Sequence, residues 1–138
     1  MVKMFTRYEV RQCKYPHSGF VCGGAEYMES ITDRSFDKQS DLVDFHELID
    51  QLGESKWYGI EPPDFKKVSE CGKPTEDLLC FFTSEGLQHC QPLINGMLDI
   101  LRRNGATIDT LNYFAEDPAS NENIVYLDQY QAVIYWRD

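Results

Sequence analysis

Apolar and polar residues alternate through the first stretch of the chain. Val2, Met4, Thr6, Tyr8 and Val10 fall on one side, and Lys3, Arg7, Glu9 and Arg11 on the other. A period of two is the mark of a half-buried β-strand, so a strand is expected over Val2–Gln12, with Phe5 breaking its polar side. Turn-forming residues fill Tyr15–Gly19, and a β-rich run from Phe20 to about Met28 follows. The expectation is a hairpin around a long loop, with Gly23-Gly24 marking a bulge or a close backbone approach.

The period then changes. Leu42, Phe45, Ile49 and Leu52 recur at helical spacing behind Ser40, a good N-cap, and Gly53 ends the pattern. Asp41 and Asp44 suit the positive end of that helix. Lys56–Ile60 reads as a short strand. Pro62-Pro63, Gly72 and Pro74 bracket a polar stretch expected to be an ordered surface loop. Leu78–Phe82 is an uninterrupted apolar run ending at Thr83-Ser84, the pattern of a central strand feeding a capped helix.

From Pro92 onward, Leu93, Ile94, Met97, Leu98, Ile100 and Leu101 form a broad apolar helical stripe. Arg102 and Arg103 complement its negative end, and Asn104-Gly105 supplies a left-handed stop. Thr107–Phe114, Asn123–Leu127 and Gln131–Trp136 read as strands, the last two joined by a tight turn near Asp128-Gln129. These elements predict an α+β fold: a mostly antiparallel sheet of about five to seven strands with two main helices packed on it. One globular domain over residues 1–138 is expected, without repeats or low-complexity tracts.

Composition narrows the class. The chain of 138 residues is 42% hydrophobic and 13% aromatic, enough apolar surface to offset the ordering entropy of folding. No run approaches the roughly 18 apolar residues of a membrane span, and the start lacks a secretory apolar core. Five cysteines are an odd number spread through a domain large enough to do without staples. Reduced thiols in the cytosol are therefore expected rather than a disulfide framework.

Charge changes the picture most. There are 23 acids against 13 bases, a net charge of −10, which disfavours direct contact with nucleic-acid phosphates and favours basic proteins as partners. Between Glu26 and Glu54, nine acids face two bases, so this segment alone carries seven net negative charges. On the Ser40 helix Asp41, Asp44, Glu47 and Asp50 recur at three-residue steps and wind around the side opposite Leu42, Phe45 and Ile49. Asp37 and Glu54 extend the same acidic run. Acids three apart in a helix repel by a few tenths of a kcal/mol per pair, so the spacing carries a small stability cost. A smaller acidic excess closes the chain, whereas the first strand is basic through Lys3, Arg7, Arg11 and Lys14.

Candidate chemistry is sparse. Cys13, His17 and Cys22 have the residue types of half a metal site, and Cys71 or the His89-Cys90 pair would complete four ligands. Structural zinc sites, however, use tighter paired spacings. A cysteine nucleophile with a histidine base would draw on Cys22 or Cys90 with His17, His46 or His89, but no local signature supports it. No phosphate-cradling glycine motif occurs.

Three readings follow. The leading one is a non-catalytic interaction or inhibitor module whose face of Asp37, Asp41, Asp44, Glu47, Asp50 and Glu54 covers a basic protein surface. The cationic groove of a nucleic-acid-binding enzyme is one such surface, and immunity proteins and phage or plasmid inhibitors of host defence offer an analogy of composition. No cofactor, metal or membrane is called for. The alternative is a small Cys/His enzyme or metal-binding protein. A third is a subunit whose sheet edge pairs with a partner through the closing strands Ile124–Trp136.

Overall fold

The computed structural model of the chain describes residues 2–13, 21–22, 24–53, 65–74 and 77–136. Strand β1 (Lys3–Val10) is the centre of the assembly. Along one edge it pairs antiparallel with β4 (Ile108–Ala115), from Lys3↔Ala115 through Val10↔Ile108. Its other edge is shared. Tyr8 and Glu9 pair in parallel with the two-residue β2 (Val21–Cys22), and Thr6 pairs with Phe82 at the end of antiparallel β3 (Leu78–Phe82). Beyond β3 lie β6 (Gln131–Tyr135) and then β5 (Ile124–Leu127), both antiparallel.

The α+β architecture expected from the sequence is what the molecule has, with an antiparallel sheet and helices packed on it. The two main helices stand where their periodicity put them. Helix α2 spans Gln39–Gly53, and α5 spans Gln91–Arg103, with Gly105 taking the left-handed conformation at φ 90° that ends it. Thr83 caps the short helix α4 (Ser84–His89), its hydroxyl accepting from the Gly86 amide at 2.9 Å.

Three expectations are corrected. The run from Phe20 to Met28 is no hairpin strand: β2 lasts two residues, runs parallel to β1, and gives way to helix α1 (Gly24–Arg34). The signals for α1 were present, with Tyr27, Met28 and Ile31 at helical spacing, Glu26 at the positive end and Arg34 at the negative end. Gly24 supplies close approach, since a β-carbon there would lie 2.7 Å from the ring of Phe45 on α2. The polar stretch after Pro62-Pro63 contains helix α3 (Phe65–Ser69), whose Val68 is buried against Leu78 and Val133. The Lys56–Ile60 strand lies outside the described residues.

The third correction concerns the polar side of β1. Even-numbered Tyr8 and Val10 face the helices, packing with Phe82, Ile94, Leu98, Met97, Leu101 and Phe45 in two adjoining clusters. The middle of the odd side, Phe5 and Arg7, is buried as well. Phe5 belongs to a second core with Leu79, Phe81, Ala115, Ala132 and Ile134, closed by Tyr113 and Trp136, whose rings meet edge-on at 6.2 Å. Arg7 is fully buried within it, 3.3 Å from Glu9, donating to the Cys80 carbonyl at 3.3 Å, with its guanidinium 5.7 Å from the Phe81 ring centre. A charge so placed is tolerated because a carboxylate, a carbonyl and an aromatic face replace its water. Phe5, the residue that broke the polar pattern, marks this second core.

Candidate functional site

Helix α2 places the acidic residues. Its inner side is fixed by packing. Phe45 is completely buried between Gly24 of α1 and the α5 stripe, and Leu48 lies against Gly96 of α5, where a β-carbon would come within 3.0 Å. With that side turned inward, positions a few residues away in helical phase must face solvent. Asp44, Glu47 and Asp50 are all exposed and share one outward flank with Ser40 and Val43. Among the described residues, no hydrogen bond or ion pair engages the side chains of Asp44, Glu47 or Asp50. Val43, 47% exposed, stands in the middle of them.

Asp41 behaves differently. Arg103 clasps its carboxylate with both nitrogens, Nη2 at 2.6 Å and Nε at 3.3 Å, and Asn104 Nδ2 donates at 2.9 Å. These bonds, first that from Arg103 and then that from Asn104, hold the Asp41 carboxyl below the usual aspartate range. The same Asn104 amide donates to the Ile100 carbonyl, and the backbone carbonyl of Asn104 accepts from the Tyr27 hydroxyl at 2.6 Å. Asp41 is thus one member of a knot joining α1, α2 and the end of α5. It is a structural acid rather than part of an open face.

The remaining acids of the run divide as follows. Asp37 lies in a one-turn 3-10 helix before α2, exposed, and accepts from the Ser35 hydroxyl, which lowers its carboxyl. Glu54 lies outside the described residues. Sequence reasoning missed two neighbours. Exposed Asp99 on α5 contributes to the field at Arg103 together with Asp44, and Glu29 on α1 lies 3.6 Å from His46 of α2. Helical phase within α2 could not reveal either, because both depend on how the helices cross.

Among the described residues, the cysteines and histidines do not gather. Cys13 ends the 3-10 turn after β1, His17 lies outside the described residues, and Cys90 is buried behind α4 with its thiol pushed up to about 11 by burial. Burial likewise raises the Cys80 thiol, with Arg7 acting in the opposite direction. Burial therefore disfavours the thiolate form at both positions. His89 is exposed and stacks on Tyr130 at 4.8 Å. Among the described residues, no three of His, Cys, Asp and Glu come together in a metal-holding group.

One cleft of about 280 Å³ opens beyond the end of β3, between Lys3–Phe5 of β1, the start of α4 and the β5–β6 turn at Leu127–Gln129. Its acids are engaged within the fold. Asp128 accepts from the Tyr126 hydroxyl, from the backbone of Tyr130 and Gln131 and from the Gln131 amide, and Glu85 accepts from Gln129. Gly86 is needed beside it, because a β-carbon there would fall 1.8 Å from the Tyr130 carbonyl oxygen.

None of the helices among the described residues is long and apolar enough to cross a membrane. Comparison with protein-family models, curated protein sequences and solved structures finds no match for this chain.

Proposed function

We propose that this protein is an acidic interaction module that binds a basic surface of another protein through the outer flank of α2. The observation that supports this reading is the pairing of Asp44, Glu47 and Asp50, unengaged among the described residues, with an exposed valine at their centre. Carboxylates around an apolar contact point combine long-range attraction for a cationic surface with a spot that excludes water on docking. The target class is a protein with a cationic groove for nucleic acid, which these aligned carboxylates would occupy in place of phosphates. An inhibitor or anti-defence role follows if that groove is an enzyme's active site.

Asp41 is set aside from the binding set because its charge is already matched by Arg103. Asp37 keeps a place at the margin. The test uses two affinity columns, one carrying the wild-type chain and one carrying Asp44→Lys/Glu47→Lys/Asp50→Lys, loaded with the same extract of the native source at low salt. The reading expects proteins eluted from the wild-type column by moderate salt, themselves retained on heparin, and absent from the variant column. An identical set of salt-eluted proteins on both columns would remove the acidic-flank mechanism.

A further inference from the structure

The sheet has two unlike edges. At one end β5 is four residues long, shifts register between Ile124 and Tyr126, and has Val125 and Tyr126 packed against the Val68 cluster of α3. Glu122 and Asp128 flank it. Short length, irregular pairing, neighbouring charge and a covering helix are the devices by which sheet edges avoid adding a further strand. The closing strand β6 lies inside the sheet between β3 and β5, so it offers no edge.

Among the described residues, strand β4 lacks the short length, the irregular pairing and the covering helix, and its flanking acids Glu116 and Asp117 stand only beyond its last residue. It runs eight residues in unbroken register with β1, contains no proline, glycine, lysine or arginine, and has no described strand on its far side. Its one charge, Asp109, sits at the second position and is held by Arg11 at 2.6 Å. From Thr110 to Ala115 the strand is neutral in a chain of net charge −10. Phe114 on this strand is 60% exposed, beside its registered partner Met4 and near Val2, both also exposed. An uncharged, regular edge next to an uncovered aromatic is what strand addition requires.

We infer that β4 is a self-association edge, at which two copies of this chain pair their β4 strands antiparallel about a two-fold axis and continue one sheet into the other. The occupant must be a strand of similar length with no charge in its middle, and β4 itself meets that description. The ends of the edge also suit an antiparallel copy. At the Ile108 end the Arg11 side chain stays 61% exposed despite its bond to Asp109, and beyond Ala115 stand exposed Glu116 and Asp117, with Lys3 nearby. Two-fold pairing brings each copy's Arg11 towards the other's Glu116. With the axis at Asn112, Phe114 of one copy lies across from Thr110 of the other and loses its exposure. Repulsion between two bodies of charge −10 does not forbid this, because the field falls off within about 8 Å at physiological salt.

An eight-residue edge is smaller than a standard interface, so association is expected at micromolar concentrations or above. Sedimentation velocity from about 10 μM to about 1 mM should show the weight-average mass climbing from 16.0 kDa towards twice that value. Thr110→Lys/Phe114→Lys sets lysines opposite each other and should weaken the dimer about tenfold or more, with the circular dichroism unchanged. Thr110→Glu/Phe114→Glu should do the same alone, and an equimolar mixture of the two variants should dimerise again. If the double variants do not fold, Phe114→Lys alone serves as the weakening change. A wild-type monomer across the whole range overturns the inference. So does a dimer that the folded lysine variant leaves intact, or a mixture of folded variants that stays monomeric.

Discussion

Helix α2 carries the same residue type, aspartate, on two flanks that differ in almost every physical respect. On the flank turned towards α5, Asp41 is gripped by Arg103 and Asn104 beside the buried ring of Phe45. On the outer flank, Asp44 and Asp50 stand in solvent with Glu47 and make no hydrogen bond or ion pair among the described residues. The difference teaches that an acid's place in the sequence pattern does not decide its role. Asp41 and Asp44 are one helical step of three residues apart. What separates them is that Arg103 and Asn104, at the last turn of α5, hydrogen-bond to Asp41, whereas Asp44 interacts with Arg103 only through the electrostatic field. The inner flank is therefore architecture, and the outer flank is the surface proposed to meet a partner.

The sharpest way to break the inner flank is to remove its ring. Phe45 is fully buried among Met28, Met97, Ile100 and Leu101, and fills the space that Gly24 leaves open. Phe45→Ala should destabilise the fold by about 3–5 kcal/mol, because the lost transfer energy adds to a cavity that three crossing helices cannot close. Urea unfolding reads this as a lower midpoint at unchanged slope. A loss below about 1 kcal/mol would mean that α2 is only loosely attached, and the contrast between its flanks would go with it.

A smaller effect isolates the Asp41 knot. Its carboxyl is held below the ordinary aspartate value in the folded chain, so the ionised form is bound more tightly folded than unfolded. The resulting stability is present above the unfolded pKa of about 3.9 and is lost as pH falls through the folded value. Asp41→Asn should lower the melting temperature by about 2–4 °C at neutral pH, a modest figure because Arg103 is half exposed. The gap between variant and wild type should stay level down to about pH 5 and narrow below pH 4. A gap that is independent of pH down to strong acid would assign the loss to shape rather than charge.

Much of this was legible in the residues themselves. The helical stripes of α2 and α5, the alternation of β1, and the Thr83 cap behind Leu78–Phe82 appear in the molecule close to where the pattern put them, because each is set by local period or local capping chemistry; Ser40, expected as the N-cap of α2, lies instead inside the helix, which starts at Gln39. What was hidden depends on contacts distant in sequence. Helix α1 was misread as strand because Val21 and Cys22 do form two residues of sheet, and Gly24 looked like a bulge until Phe45 came to rest on it. Arg7 looked solvent-facing because its side of β1 is polar, and its burial rests on contacts distant in sequence, with the Cys80 carbonyl and the Phe81 ring of β3. The proposed acidic site was half legible for the same reason. Helical phase correctly sends Asp44, Glu47 and Asp50 outward, but the partner of Asp41 comes from 62 residues away.

The outer acids should matter least to stability. Asp44→Asn/Glu47→Gln/Asp50→Asn removes three charges spaced at helical steps of three, and it relieves Asp50 of its unfavourable place near the negative end of α2. The expected change is within about 0.5 kcal/mol, and in the stabilising direction, because no described hydrogen bond or ion pair is lost and the relief of like-charge repulsion outweighs the solvent-screened attraction of Asp44 for Arg103. Surface acids kept only for folding would show the opposite sign, since their removal would expose a neighbour they had been satisfying. Chemical denaturation of this triple variant beside Asp41→Asn therefore sorts the two flanks by sign as well as by size. A triple variant clearly less stable than wild type would place Asp44, Glu47 and Asp50 with Asp41 among the acids that hold the helices together, and would leave the outer flank without a separate role.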